Sequence, residues 1–420
     1  RIRSIGTTVS ALQGSLARKR REREKRRVAF HLYFSLFLLS IRTRSRMGVE
    51  ARRLIKKANK NAPPILSHEF VIQNHGDITS VILMVVFLGF MWQQTSAIAQ
   101  VFVLPQYNET INLTVGENIV TQVEGFRVGL RDIFTVLFYT VACVTVHAII
   151  QEYVIDKLIK KICRDSKLSV SKTKLVKLNE SGQLFVFWAY TLAHALWVLS
   201  DYFHTFNDVG KLWLNYPEEH RIMSLRTKFF FIIQLAYWLH SFPEFYLQKY
   251  KGEEMKERTL PILIHIAAIT AGYALNFNRI TLVLLSLEAI VGVLFHAARF
   301  LHIIECKNTA LRLFHSWNIV FVVARLLETF VAAVVFWHGF KVNETPFVDF
   351  EQGNFNTSFI RLNALFVVVV LQGYQFAQFA LFHFGRFRDS WSKKAKKTQS
   401  NAAISTAKNA AKAKKEKKEE

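Results

Sequence analysis

Apolar runs close to 20 residues long recur eight times along this chain, at 78–104, 132–150, 183–203, 229–247, 260–275, 280–304, 317–340 and 359–384. That is about the length an α-helix needs to cross ~30 Å of hydrocarbon. Inside hydrocarbon every backbone polar group must be satisfied within the element, so runs of this length predict helices. The expected fold class is all-α: a polytopic membrane protein with about eight transmembrane helices. The fifth run is short and contains Gly272; it joins the sixth through a tight turn over 276–279, and the count falls to seven if the pair is one kinked span. Its Pro261 is expected in the first helical turn, where a missing N–H is harmless. With 51% apolar residues, 20% charged residues and 37 Phe, the composition argues against a soluble enzyme.

The formal charge of +24 resolves once it is partitioned along the chain. Residues 1–60 carry 18 Lys/Arg against 3 acids, residues 385–420 carry 12 against 4, and the body between them is close to neutral. Basic tails of this kind suit an anionic lipid surface or ribosomal RNA. With an even number of helices both tails share a side. The loops on that side (152–182, 248–259 and 305–316) hold 14 Lys/Arg, against 8 in the alternate loops. The positive-inside bias therefore predicts that both termini are cytosolic.

Sequons at Asn108, Asn112, Asn343 and Asn356 all fall in loops expected to face the lumen and are the candidate glycosylation sites. A fifth, Asn179, lies in a basic loop expected to be cytosolic and should stay bare. Of the three cysteines, Cys143 falls in a helix and Cys163 and Cys306 on the cytosolic side, so no lumenal disulfide is expected. Four segments follow. Residues 1–46, which open on Arg1 and precede Met47, read as an upstream-translated leader. Residues 47–77 read as a cytosolic N-terminal segment, 78–384 as the eight-helix membrane domain, and 385–420 as a basic disordered cytosolic tail. That tail ends with Lys417 and Lys418 at the fourth and third positions from the carboxyl end, which resembles a dilysine retrieval signal of the endoplasmic reticulum.

Four segments are too particular for composition to explain. They are Pro-Pro-Ile-Leu-Ser-His-Glu-Phe-Val-Ile-Gln-Asn-His at 63–75, Leu-Asn-Glu-Ser-Gly-Gln at 178–183, Gln-Leu-Ala-Tyr-Trp-Leu-His-Ser-Phe-Pro-Glu at 234–244, and Gly-Asn-Phe-Asn at 353–356. In these the chain resembles the translocating chain-associated membrane protein family over about residues 60–384. The resemblance implies a protein of the endoplasmic reticulum membrane beside the Sec translocon channel, in contact with nascent signal and transmembrane segments and with membrane lipids. A ribosome reached through the basic tail is a further candidate partner.

The same helices are similar to those of ceramide synthases and their lipid-sensing relatives (the TLC fold), whose catalytic branch carries an adjacent His-His pair with acids downstream. No His-His dipeptide occurs in this chain, and His265 stands alone between Ile264 and Ile266. General acid–base work needs positioned partners. The resemblance thus implies a non-enzymatic accessory protein, with no cofactor beyond a bound lipid; a lipid-binding or acyltransferase protein is the alternative.

Ionisable groups at membrane depth cost a few kcal/mol each unless paired or wet. The spans nevertheless contain His147, His194, Asp201, His240, Glu244, His265, Glu288, His296, Arg299, Arg325, Glu328 and Arg361. Arg325 and Glu328 are three apart on one helical face and can pair locally. His240 and Glu244 are four apart beside Pro243, which is expected to kink or end its helix. Two readings stand: the groups satisfy one another between helices, or His240, Glu244, His265, Glu288, His296, Arg325 and Glu328 line a partly polar cavity filled by water or lipid. The sequence supplies no metal-ligand set and no catalytic residue.

Overall fold

In a computed structural model that describes Pro64 and residues 67–114, 120–165, 171–202 and 209–419, every apolar run lies within or across helix. The main helices are α1 (His68–Leu88), α2 (Gln93–Val103), α3 (Asp132–Ile150), α4 (Asp156–Asp165), α5 (Lys172–Tyr202), α6 (Leu225–Leu247), α7 (Gly252–Ala274), α8 (Asn278–Ile303), α9 (Lys307–Ala332) and α10 (Ser358–Glu419). The chain divides into Arg1–Gln73 and Asn74–Glu420. Of the first unit only Pro64 and residues 67–73 are described, where Ser67 Oγ accepts the Phe70 amide at 3.2 Å at the start of α1. The expected leader and most of the 47–77 segment lie outside the described residues.

Among the described residues six helical stretches are long and apolar enough to cross a membrane: His68–Met91, Asp132–Asp165, Thr173–Ser200, Asn278–Ile303, Lys307–Asn343 and Ser358–Ser392. Helices α6 and α7 have the length, 23 residues each, or about 34 Å, but are too polar to qualify. For α6 the reason is its position. Phe230, Phe231, Ile232, Leu235 and Trp238 pack against Phe187, Trp188 and Val198 of α5, Ile262, Ile269 and Tyr273 of α7, and Leu282 and Leu285 of α8. A helix enclosed by other helices can carry Lys228, Gln234, His240 and Glu244, because its neighbours answer them.

Several boundaries differ from the sequence reading. The expected first span, 78–104, is broken: α1 gives way to a 3₁₀ turn at Gly89–Met91, and Trp92 is extended before α2 begins. Thr95 Oγ1 donates to the Gly89 carbonyl at 2.7 Å, folding α2 back. Helix α2 then packs on α3, whose Thr135 Oγ1 donates to the Val101 carbonyl at 2.9 Å. The polar stretch 93–96 falls at this break.

Helices α5, α7 and α9 begin 8 to 11 residues ahead of their apolar runs, because charged sequences such as 252–259 are good helix formers, with Glu253 and Glu254 suited to the first turn. Pro261 therefore sits inside α7, not in its first turn. Helix α6 continues through Pro243 to Leu247 and does not end there. The tail expected to be disordered is helical to Glu419 in the structure. It is rich in Ala and Lys and has no Gly or Pro after Gly385, so nothing in its composition stops the helix.

Outside the helices, β1 (Asn108–Thr114) and β2 (Val120–Phe126) form an antiparallel hairpin, an addition to the all-α expectation. The turn between α7 and α8 is as expected, with Asn276 in the left-handed region (φ 58°). The hairpin is tight: a Cβ at Gly272 would lie 2.0 Å from Thr281 Oγ1.

Candidate functional site

The seven residues expected to share one cavity are distributed over separate centres. The first joins α8, α9 and α10. Arg325 is 2% exposed, and its guanidinium donates to Glu288, to Glu328 at 3.3 Å, and to the amide oxygens of Gln372 at 2.8 Å and Gln375 at 2.5 Å. The local Arg325–Glu328 pair is present as the spacing predicts. Glu288 reaches the same guanidinium from α8, and the two glutamines of α10 accept from Nη1, which leaves Nε buried without a partner. These charges satisfy one another and do not line an open polar chamber. Beside them an apolar cleft of about 310 Å³ opens between α9 and α10, lined by Trp317, Phe321, Tyr374, Gln375, Gln378, Phe379 and Phe382. Gln375 belongs to both the charged centre and the cleft wall.

The second centre joins the last turn of α3 to the last two turns of α6. His147 Nδ1 lies 3.2 Å from His240 Nε2, and His147 Nε2 lies 4.0 Å from Glu244 Oε2. His240 Nδ1 donates to the Tyr237 carbonyl. The α-helical spacing of His240 and Glu244 puts both on one face of α6, as expected; the partner they meet, His147, comes from another helix. Gln183 braces it, with Nε2 donating to the His147 carbonyl and to Gln151 Oε1, each at 3.1 Å. Two of the family-like segments, 178–183 and 234–244, thus meet here. Among the described residues this is the one group of three His, Cys or acidic side chains whose donor atoms lie mutually within 4.8 Å, the arrangement that can hold a metal ion.

His265 lies within electrostatic reach of Glu288 and Arg325 without a hydrogen bond to either, and His296 joins neither centre. The His265 ring stacks on Trp238 at 3.9 Å, and its Nδ1 donates to the Pro261 carbonyl of its own helix at 2.8 Å. Among the described residues no carboxylate is hydrogen-bonded to it. His296 is buried, with its ring edge-to-face against Phe295. Four ion pairs were not read as pairs from the sequence: the buried Lys228 with Asp132 at 2.8 Å, and the less buried Glu180 with Arg258 at 2.5 Å, Glu180 with Arg299 at 3.1 Å and Arg361 with Glu344 at 2.6 Å. Partners in these pairs lie from 17 to 119 residues apart, with nothing in the local pattern to connect them.

Loop residues outside the helices add a rigid cap. Tyr216 donates to the Leu275 carbonyl at 3.0 Å and accepts the Phe355 amide at 3.1 Å, so the 353–356 segment is tied to the α7–α8 turn. Burial pushes the Tyr216 hydroxyl above its usual range. Burial, with the Arg279 guanidinium second, lowers His220 to about 3, against carbonyl bonds from Leu214 and Asn276 that favour the charged form. In this cap the side chain of Asn356 is fully buried and its Nδ2 donates to the Phe340 carbonyl at 2.5 Å. That corrects its reading as a glycan acceptor, because a sugar on Nδ2 has no room. Asn108 is exposed at the start of β1, and Asn343 is half-buried.

A family model described as the TLC domain matches residues 177–381, from α5 into α10, so the bundle is a polytopic helical membrane protein built on a TLC domain. Translocating chain-associated membrane protein 2 of Mus musculus is 37% identical over 331 residues, covering 79% of this chain and 85% of that protein. Its counterpart from Homo sapiens is 35% identical over the same shares. The chain belongs to the translocating chain-associated membrane protein family.

Proposed function

We propose that this chain is a non-enzymatic accessory of the Sec translocon channel in the endoplasmic reticulum membrane, assisting insertion or translocation of signal sequences and transmembrane segments. The observation that carries the reading is the 37% identity across 79% of the chain to a protein named for association with translocating chains. Both termini are assigned to the cytosol, with α6 and α7 as the two remaining spans, Lys417 and Lys418 as the retrieval signal, and Asn108, Asn112 and Asn343 as glycan acceptors. Nascent apolar segments, membrane lipids and, through the basic tail, the ribosome are the partners this assigns. The apolar cleft between α9 and α10 is where an emerging transmembrane segment would rest. Its wall is aromatic, and the amide of Gln375 offers a polar edge to a segment of marginal hydrophobicity.

The TLC match keeps one alternative in view, a lipid-binding or acyltransferase role. His265 argues against catalysis: its ring is packed on Trp238 and its Nδ1 is engaged by its own helix. The test is crosslinking of short nascent chains stalled at the translocon. Labelling of this chain alongside the channel is expected. Labelling of the channel alone would remove the proposal, and acyl-CoA turnover abolished by His265→Ala would replace it with the enzymatic one.

A further inference from the structure

Among the described residues, acids at four sites face a permanent cation; Asp132 and Glu328 are buried, Glu180 and Glu288 half-buried and Glu344 exposed. Asp132 meets Lys228, Glu180 meets Arg258 and Arg299, Glu288 and Glu328 meet Arg325, and Glu344 meets Arg361. Glu244, only 5% exposed, departs from this rule: among the described residues no Lys or Arg lies within ion-pair distance of it, and its charged-group partner is His147. Its Oε2 accepts from Gln248 at 3.1 Å, while Oε1 is buried with no hydrogen-bond partner. A buried carboxylate with one unsatisfied oxygen is costly, and a cation at that point would remove the cost.

The neighbouring imidazoles offer the other donors: one donor atom from each of His147, His240 and Glu244 lies within 4.8 Å of the others, so the carboxylate must draw in by about 1 Å to share one ion with them. The hydrogen bond from His240 Nδ1 to the Tyr237 carbonyl fixes the tautomer and leaves the Nε2 lone pair facing His147. Outer bonds of this type orient ligating histidines. The 3.2 Å between His240 Nε2 and His147 Nδ1 is close to the ~3.3 Å expected for two nitrogens bound to one tetrahedral zinc ion at about 2.0–2.1 Å. Two imidazoles and a carboxylate are a donor set that zinc accepts, leaving a fourth position open. Two nitrogen donors disfavour Mg²⁺ and Ca²⁺, which take oxygen ligands.

We propose that His147, His240 and Glu244 form a site for a single zinc-class divalent ion that clips the end of α3 to the end of α6. His147 lies outside the TLC match at 177–381 and the other two lie within it, so the ion would fasten the upstream helices to that domain. The proposal is independent of the translocon reading.

The test uses the full chain in detergent or nanodiscs, stripped with a chelator and titrated with Zn²⁺ and with Co²⁺. About one Zn²⁺ per chain is expected, with visible Co²⁺ absorption of tetrahedral type. Glu244→Gln, which keeps the shape of the side chain, and His147→Ala should each weaken binding at least about tenfold, a loss even outer-sphere changes can reach. Chelator should lower the melting temperature of the native protein and leave that of Glu244→Gln unchanged. Should His147→Ala fail to fold, Glu244→Gln and the Co²⁺ spectrum decide alone. Zinc retained equally by Glu244→Gln, octahedral Co²⁺ only, or no zinc above background would each overturn the site in favour of a plain imidazole–imidazole hydrogen bond.

Discussion

The Arg325 centre and the His147–His240–Glu244 centre treat the same problem, a carboxylate inside a helical bundle, in opposite ways. Around Arg325, two acids share one permanent cation and two glutamine oxygens accept from its Nη1. Around Glu244 the charged partner is an imidazole, whose charge is optional, and one carboxylate oxygen is left over. The first arrangement pairs every charge within the protein and is structural, with only the guanidinium Nε left without a partner. The second is incomplete as protein alone, and incomplete polar shells are where bound ions or function are to be sought.

The largest effect should come from opening the charge-paired centre. Arg325→Met strands Glu288 and Glu328, and breaking a buried pair in this way costs about 3–5 kcal/mol. Thermal unfolding in detergent should show it, with substantial recovery when Glu288→Gln and Glu328→Gln are added. A loss under about 1 kcal/mol would mean the charges are not paired there.

A buried imidazole outside the spans offers the next contrast. His220 is neutral when folded, with its pKa lowered to about 3, so the unfolded chain binds more protons between that value and about 6.5. Its contribution is full above pH 6.5 and declines as pH falls toward 3. Between pH 6.5 and 5 the loss is about 2 kcal/mol. The check is the slope of stability against pH, which should be shallower in His220→Gln whatever its absolute stability.

In metal-free protein, Glu244→Gln should change stability by about 1 kcal/mol or less, since it removes an unsatisfied charge rather than a balanced one. A loss as large as that of Arg325→Met would erase the distinction between the two centres. The smallest effect belongs to the solvated pair of Lys174 and Glu305, both about half exposed. Lys174→Ala should cost less than about 1 kcal/mol and less still at high salt.

What the sequence made legible follows the range of each interaction. Helix period and apolar length located the bundle, and the three-residue spacing of Arg325 and Glu328 announced their contact. The four-residue spacing put His240 and Glu244 on one face. Nothing local linked His147 to His240, 93 residues away, or Gln372 and Gln375 to Arg325. Hydropathy also marked only the apolar part of each helix, so the charged leading turns of α5, α7 and α9 were missed. The break at Gly89–Met91 was hidden because α1 and α2 are both largely apolar and the polar 93–96 stretch that opens α2 is short. Burial of Asn356 was illegible for a similar reason: a sequon in a loop does not say that the loop folds back on Phe340.

The most direct measurement for the account as a whole is photocrosslinking from this chain to a nascent transmembrane segment stalled at the translocon. One probe replaces Tyr374 in the cleft wall, and another replaces Phe330, which is 65% exposed on α9 outside the cleft lining. Labelling of the segment from position 374 well above that from 330 is the predicted result. Equal labelling from both, or none from either while the channel itself is labelled, would contradict it.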